Sequence, residues 1–238
     1  MVASILPLRV EKVCVRKKGI PILGPVSWEL TGAGCTVILG PNGAGKTTFL
    51  RLMHGLQKAS SGHLHWQSSS EMVRKCQSFV FQTPVVMRRS VIENLIYPLQ
   101  VRGTARIKAL DAATYWLDMV GLQDRRDRPA GVLSGGEKQK LAMARALIIE
   151  PQVVFLDEPS TNLDGAATLA IETIIQHTIQ NGTRVVLATH DLGQARRLAT
   201  EVVFLLHGKI HEVTQGCLFF DTPQTGEAKS FLKGDILL

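Results

Sequence analysis

The eight residues GPNGAGKT, Gly40 to Thr47, constrain this chain more than any other stretch. They fit the pattern G-x-x-x-x-G-K-[ST], follow the apolar run TVIL, and lead into TTFLRLMHGL, in which Phe49, Leu52, Met53 and Leu56 share a helical face. Strand, glycine-rich loop and helix in that order form a cradle for phosphate. The glycines permit the turns, and the helix start offers unpaired N–H groups and a positive dipole end. Gly40, Pro41, Asn42, Gly43, Ala44, Gly45, Lys46, Thr47 and Thr48 are therefore expected to hold the phosphates of ATP. N–H groups from about Gly43 to Thr48 would surround the β-phosphate, Lys46 would reach the β- and γ-phosphates, and Thr47 would ligate Mg²⁺.

VVFLDEP, Val153 to Pro159, supplies a second element of the same chemistry. A carboxylate at the end of a buried strand can bind Mg²⁺ through its waters, a role that falls to Asp157. Glu158 follows at once, placed to orient or deprotonate a water attacking the γ-phosphate. His190 closes the run RVVLATH; a lone histidine at a strand end is equally at home as a solvated or capping residue, and the residue alone does not choose.

Four short apolar runs, Thr36 to Gly40, Phe79 to Phe81, Val153 to Asp157 and Arg184 to His190, have the composition of strands buried on both faces of a parallel sheet. VSWEL (Val26 to Leu30) and, more loosely, LRVEKVCV (Leu8 to Val15) alternate apolar and polar residues, as antiparallel strands with one wet face do. Between Thr83 and Glu150 the β-runs stop and helical stretches take over. In RIKALDAATYWLDMVGL, Leu110, Thr114, Leu117 and Val120 or Gly121 recur at helical spacing. The polar stretch HWQSSSE, His65 to Glu71, reads as a surface turn.

A second glycine-rich helix start occurs in LSGGEKQK, Leu133 to Lys140. Ser134 and Glu137 have capping-box spacing, which accounts for a well-made helix start but not for its glycines. Each of Gly135 and Gly136 is up to about 1 kcal/mol worse than alanine in a helix, so bare backbone is wanted for something that approaches it. Free N–H groups, a hydroxyl and a positive dipole end suit a γ-phosphate. One chain has one lysine-bearing loop, so Ser134, Gly135 and Gly136 are expected to meet the nucleotide of a second copy, two subunits packing head to tail around two ATP molecules.

With these motifs in hand, the sequence resembles the ATP-binding subunits of ABC transporters over nearly its whole length. The match includes the Walker A motif GPNGAGKT, a Q-loop glutamine in FVFQ (Gln82), the signature LSGGEKQK, the Walker B motif VVFLDE, a D-loop in STNLD (Asp164) and a switch histidine in ATHD (His190). The resemblance implies an α/β fold of P-loop NTPase (RecA-like) type: a parallel sheet core with an antiparallel β subdomain and an inserted helical subdomain. The corresponding division is 1–82 and 151–215 for the ATP-binding core with its β subdomain, 83–150 for the helical subdomain, and 216–238 for a C-terminal tail packing on the core. It further implies that Gln82 reaches Mg²⁺ and couples to the membrane subunit, that Glu158 activates water, that Asp164 lies at the dimer interface and that His190 contacts the γ-phosphate.

Two departures stand out. VCVRKKGIP has Lys17 and Lys18 where family members usually place an aromatic residue that stacks on adenine, so that contact is not expected and base selectivity should be loose. The signature ends in EKQK where QQQR or EQQR is commoner, with Ser134, Gly135 and Gly136 intact.

VFQTPVVMRRSVIENLIYPL and THDLGQARRLATEVVFLLHGKIHE resemble prokaryotic importers of oxyanions, especially tungstate or molybdate. The implied assembly is a homodimer in the ATP-bound state under two permease subunits, indirectly served by a substrate-binding protein, at the cytoplasmic face of the membrane. The stretch after Gln82, with Val85, Val86, Met87, Arg88 and Arg89, is expected to form the groove that receives a permease helix.

The net charge of +7 would suit nucleic acid, an anionic membrane or phosphate ligands. The alternatives to an importer are an exporter cassette, which the sequence excludes less firmly, and a soluble ABC ATPase acting on nucleic acid or ribosomes. Nucleic acid is not the expected partner, because ABC ATPases of that kind usually carry a long coiled-coil insertion or two fused cassettes, and this chain has neither. Cys14, Cys35, Cys76 and Cys217 lie far apart with no C-x-x-C spacing, which reads as reduced thiols. No window approaches the ~18 apolar residues of a membrane span.

Overall fold

Residues whose side chains alternate between two apolar environments must sit in a sheet covered on both sides, and four of the runs do so. In the computed structural model, which describes residues 4–235, Val154 and Leu156 enter one core while Val153 and Phe155 enter another. Val185 and Leu187 share the first core, Val186 and Ala188 the second. Each strand is thus a rivet between two layers.

Along the chain the elements are β1 (Leu8–Lys17), β2 (Ile20–Leu30), β3 (Cys35–Leu39), α1 (Lys46–His54), β4 (Ser61–Trp66), α2 (Ser70–Cys76), β5 (Gln77–Val80), α3 (Val91–Val101), α4 (Arg106–Met119) and α5 (Gly135–Leu147). Then follow β6 (Val153–Asp157), α6 (Gly165–Gln180), β7 (Arg184–Ala188), α7 (Leu192–Leu198), β8 (Glu201–Leu206), β9 (Lys209–Gln215), α8 (Gly216–Asp221) and α9 (Gly226–Lys233). The main sheet has the order β5-β6-β7-β3-β8-β9. Its strands run parallel except β9, which pairs antiparallel with β8 at the edge. The small sheet β2-β1-β4 is antiparallel throughout.

The expected antiparallel pair is β1 with β2, whose Val10, Val13, Val26, Trp28 and Leu30 are buried under one face of the small sheet. Trp28 meets Phe49 of α1 edge to face at 5.7 Å, which docks this sheet on the helix that follows the glycine-rich loop. Phe49, Leu52 and Met53 are buried as expected, but Leu56 is 51% exposed because α1 stops at Gly55, whose left-handed cap ends the periodicity. The stretch His65 to Glu71 is only partly a turn: His65 and Trp66 close β4, and Ser69 caps α2 by accepting from the Met72 N–H.

Between β5 and β6 the chain is helical. In α4 the buried stripe is Ala109, Ala113, Leu117 and Val120 rather than one through Leu110 and Thr114, which are half-buried beside it. Small alanines let α4 approach its neighbours closely, so the stripe runs one residue from the position that size alone suggests. At the far end of the chain, Glu212 of β9 is buried and accepts from the N–H groups of Gln224 and Thr225 and from the Thr225 hydroxyl at 3.0–3.1 Å. Phe219 and Phe231 pack on Phe204, which fastens α8 and α9 to the sheet. The last three residues of the expected tail, and the first three of the expected core segment, lie outside the described residues. No helix among the described residues is long and apolar enough to cross a membrane.

Candidate active site

The carboxyl ends of four neighbouring strands, β5, β6, β7 and β3, each deliver part of one site, as open parallel sheets commonly do. β3 delivers the glycine-rich loop. Gly40 has φ +153, and a Cβ there would run into the Leu205 carbonyl of β8, so the residue is glycine because strand and loop touch. Gly45 caps α1 in the left-handed region at φ 101, with no side-chain cap and no acidic residue in the first turn, leaving the helix start to N–H donors. The loop is tied down from below by the Gly208 N–H, which donates to the Ala44 carbonyl at 3.0 Å.

Lys46 is 6% exposed. Its Nζ donates to the carbonyls of Gly40 at 2.9 Å and Pro41 at 3.2 Å, and its third hydrogen faces Glu158 Oε1 at 3.7 Å. Burial holds its pKa below the usual lysine value, with Glu158 and Asp157 pulling the other way. Asp157 is 1% exposed, and burial pushes its carboxyl up; the Thr47 hydroxyl, which donates to Oδ1 at 2.8 Å, works against that. Two hard oxygen donors side by side, one on a carboxylate disfavoured by burial, fit a divalent cation that takes the rest of its ligands from phosphate and water.

Glu158 stands at the centre. It has φ 47, an uncommon left-handed value for a residue with a side chain, and its N–H is held by the Ala188 carbonyl of β7. Its Oε2 accepts from Gln82 Nε2 at 3.2 Å, His190 Nδ1 at 3.1 Å and the Thr161 hydroxyl at 3.0 Å. A carboxylate only accepts, so this contact puts a proton on His190 Nδ1. Gln82, His190 and Lys46, from three separate parts of the chain, are thus gathered on the Glu158 carboxylate. Thr161 was not among the residues singled out in the sequence; its spacing of three from Glu158, that of a closed turn, was the available signal.

The second glycine-rich start is built as the capping box predicts. Ser134 Oγ accepts from the Glu137 N–H at 3.2 Å, and the Ser134 N–H donates to Glu137 Oε2 at 2.8 Å. Neither glycine is left-handed, a Cβ on Gly135 would have nothing within 4 Å, and one on Gly136 would make ordinary contact with Ala167 at 3.4 Å. Nothing among the described residues calls for glycine there. The open depression around Ser134–Gly136 is completed by Asn162, Leu163, Asp164 and the start of α6, and by none of the residues gathered on Glu158. Asp164 itself caps α6, accepting from the Ala167 N–H at 2.7 Å.

The stretch after Gln82 divides. Val86 packs on the core, while Val85 is 63% exposed and lines an apolar groove with Phe81, Met87, Tyr97 and Val101. Arg89 lies over the Tyr97 ring at 5.3 Å, and Arg145 ties the Val85 carbonyl to the buried Asn94. Lys17 and Lys18 sit at the β1–β2 turn beside Ile20, which is exposed.

Comparison with known proteins gives a consistent picture. Residues 23–161 match the family model described as ABC transporter. The tungstate uptake system ATP-binding protein TupC of Peptoclostridium acidaminophilum is 35% identical over 196 residues, covering 82% of this chain and 92% of that one. The histidine/lysine/arginine/ornithine transport ATP-binding protein HisP of Escherichia coli is 32% identical over 237 residues, covering 90% and 92%. Among solved structures, cbiO1 from Clostridium perfringens, described as part of the ABC transporter complex cbiONQ, superposes with a TM-score of 0.80 at 25% identity over 90% of each chain.

Proposed function

The chain belongs to the ABC transporter ATP-binding family, a family of ATPases, and from the site just described we propose that it powers solute import by hydrolysing ATP at two composite sites of a homodimer. The observation that carries this reading is the convergence of Lys46, Gln82 and His190 on Glu158, beside the Thr47–Asp157 oxygen pair. Gly40, Pro41, Asn42, Gly43, Ala44, Gly45, Lys46, Thr47 and Thr48 hold the phosphates. Ser134, Gly135 and Gly136 of the other subunit close over the γ-phosphate, with Asp164 at the seam. Thr47, Asp157 and Gln82 would hold Mg²⁺, which would supply charge compensation for the phosphate oxygens.

The side chains of the site satisfy one another, and nucleotide binding must exchange several of those contacts, the Lys46–Glu158 and Thr47–Asp157 pairs first. The γ-phosphate takes the place of Glu158 at the third hydrogen of Lys46, and Asp157, once the Thr47 hydroxyl turns away, would be free to hold the cation. Released from Lys46, Glu158 Oε1 accepts a proton from the attacking water as the water oxygen bonds to the γ-phosphorus. The bond from that phosphorus to the bridging oxygen breaks, and ADP leaves with the electron pair. His190 steadies the γ-phosphate, and the proton on Glu158 passes to solvent with inorganic phosphate. Glu158→Gln should lower turnover by roughly 10²- to 10⁴-fold, the range of a lost general base, while ATP binding persists and an ATP-bound dimer accumulates. Turnover near wild type would remove Glu158 from this role.

In the proposed domain scheme, residues 1–82 and 151–215 form the ATP-binding unit, 83–150 carry the signature, and the tail 216–238 braces the core through its described residues 216–235. The apolar groove at Phe81, Val85 and Tyr97 suits a helix of a permease subunit at the cytoplasmic face of the membrane, with a substrate-binding protein beyond it. An oxyanion such as tungstate or molybdate is the proposed cargo, supported by the likeness to TupC and by 33% identity over 237 residues to the phosphate import ATP-binding protein PstB 2 of Natronomonas pharaonis, which covers 92% of this chain and 84% of that one. HisP, a relative of similar identity, names amino acids instead. Isolating the complex with its permease and binding protein and titrating the latter with tungstate, molybdate and histidine decides this: binding of histidine alone would overturn the oxyanion reading.

A further inference from the structure

A base needs a free lone pair at a fixed place, and Glu158 has two oxygens with unequal surroundings. Oε2 is crowded by three donors, whereas Oε1 faces, among the described residues, the Lys46 ammonium alone at 3.7 Å. The three donors differ in kind. Gln82 is exposed and His190 is 52% exposed, and both belong to loops that the proposed cycle gives other partners, Mg²⁺ and the γ-phosphate. Thr161 is half-buried and lies on the same turn as Glu158. The Thr161 N–H donates to the Glu158 carbonyl at 3.2 Å while its hydroxyl donates to Oε2 at 3.0 Å, so one residue closes the turn through backbone and side chain together. When nucleotide draws Gln82 and His190 away, Thr161 is the donor that remains.

Resting on the reading of Glu158 as the base, we propose that Thr161 is a positioning residue for ATP hydrolysis, its hydroxyl pinning Oε2 so that Oε1 is the oxygen presented to water. The left-handed backbone at Glu158 makes such a pin worth having. A side chain carried on an uncommon φ of 47 is aimed by its neighbours rather than by a regular element, and an unheld carboxylate would swing between Lys46 and the water. Ser160, the preceding residue, accepts from Gln194 Nε2 at 2.8 Å, which anchors the turn to α7 without touching Glu158. Thr161 can therefore be altered while the turn keeps its other attachment.

The test uses the full-length chain assembled with its permease, comparing Thr161→Val, which keeps the shape and removes the donor, with Thr161→Ser, which keeps the donor. Loss of one hydrogen bond to a charged group should lower kcat by about tenfold in Thr161→Val, with KM for ATP within about twofold, and Thr161→Ser should stay within about twofold of wild type. In a Glu158→Gln background, Thr161→Val should bring no further loss, because the group it aims is already gone. Wild-type kcat in Thr161→Val, equal damage in Thr161→Ser, or an additive loss in the Glu158→Gln background would each overturn the proposal. Failure of Thr161→Val to bind a non-hydrolysable ATP analogue would also overturn it, in favour of a structural role. The reading of Glu158 falls separately, and only if Glu158→Gln alone retains turnover.

Discussion

The two glycine-rich helix starts of this chain look alike in sequence and differ in what their glycines are for. In the loop before α1, Gly40 faces the Leu205 carbonyl and Gly43 and Gly45 are left-handed, so the fold of the subunit itself demands glycine. At the start of α5, Gly135 and Gly136 have ordinary helical backbone and room for a side chain, and the capping box of Ser134 and Glu137 is complete without them. The charged groups follow the same division. Lys46, Thr47, Asp157 and Glu158 satisfy one another within the subunit, while Ser134–Gly136 opens on a depression that none of them enters. Glycine demanded by nothing inside a molecule points to something outside it.

Stability measurements can break or sharpen this contrast. The larger effect belongs to Gly40→Ala, which places a methyl group against a backbone carbonyl in a region closed to side chains; a loss of about 3 kcal/mol or outright failure to fold is expected. The smaller belongs to Gly135→Ala, where the helix gains up to about 1 kcal/mol and the thermal midpoint holds or rises. If the shared-site proposal holds, ATP turnover should nonetheless fall in Gly135→Ala, because the methyl group would meet the other subunit's nucleotide. A destabilised Gly135→Ala would show that the second glycine pair serves the subunit's own fold.

Much of this was visible in the residues. The glycine-rich loop between β3 and α1, the four doubly buried strands, the β1–β2 pair and the Ser134 cap each follow from a local pattern of side-chain size, polarity or spacing. What escaped depends on distant partners. β8 is as apolar as β6, yet the antiparallel β9 beside it and the Glu212 clasp on Gln224 and Thr225 arise from pairings between separate parts of the chain. The stripe of α4 shifted because alanine packs by being small, and Leu56 fell outside because Gly55 ended its helix. Among the site residues, the gathering of Gln82, Glu158 and His190 takes strand order to produce, and Thr161 drew no notice because a hydroxyl on a loop is ordinary until its carboxylate partner is placed.

The claim that each ATP is held by both chains is tested most directly by mixing two inactive subunits, Lys46→Ala and Gly135→Asp. The first keeps its signature half and the second its phosphate loop, so every heterodimer holds one intact composite site and one doubly damaged site. With random pairing, half the dimers are heterodimers with one of two sites working, and the mixture should recover about a quarter of wild-type turnover and retain one ATP per heterodimer when Glu158→Gln is added to both chains. Heterodimers that form but neither hydrolyse nor retain ATP would contradict the shared site.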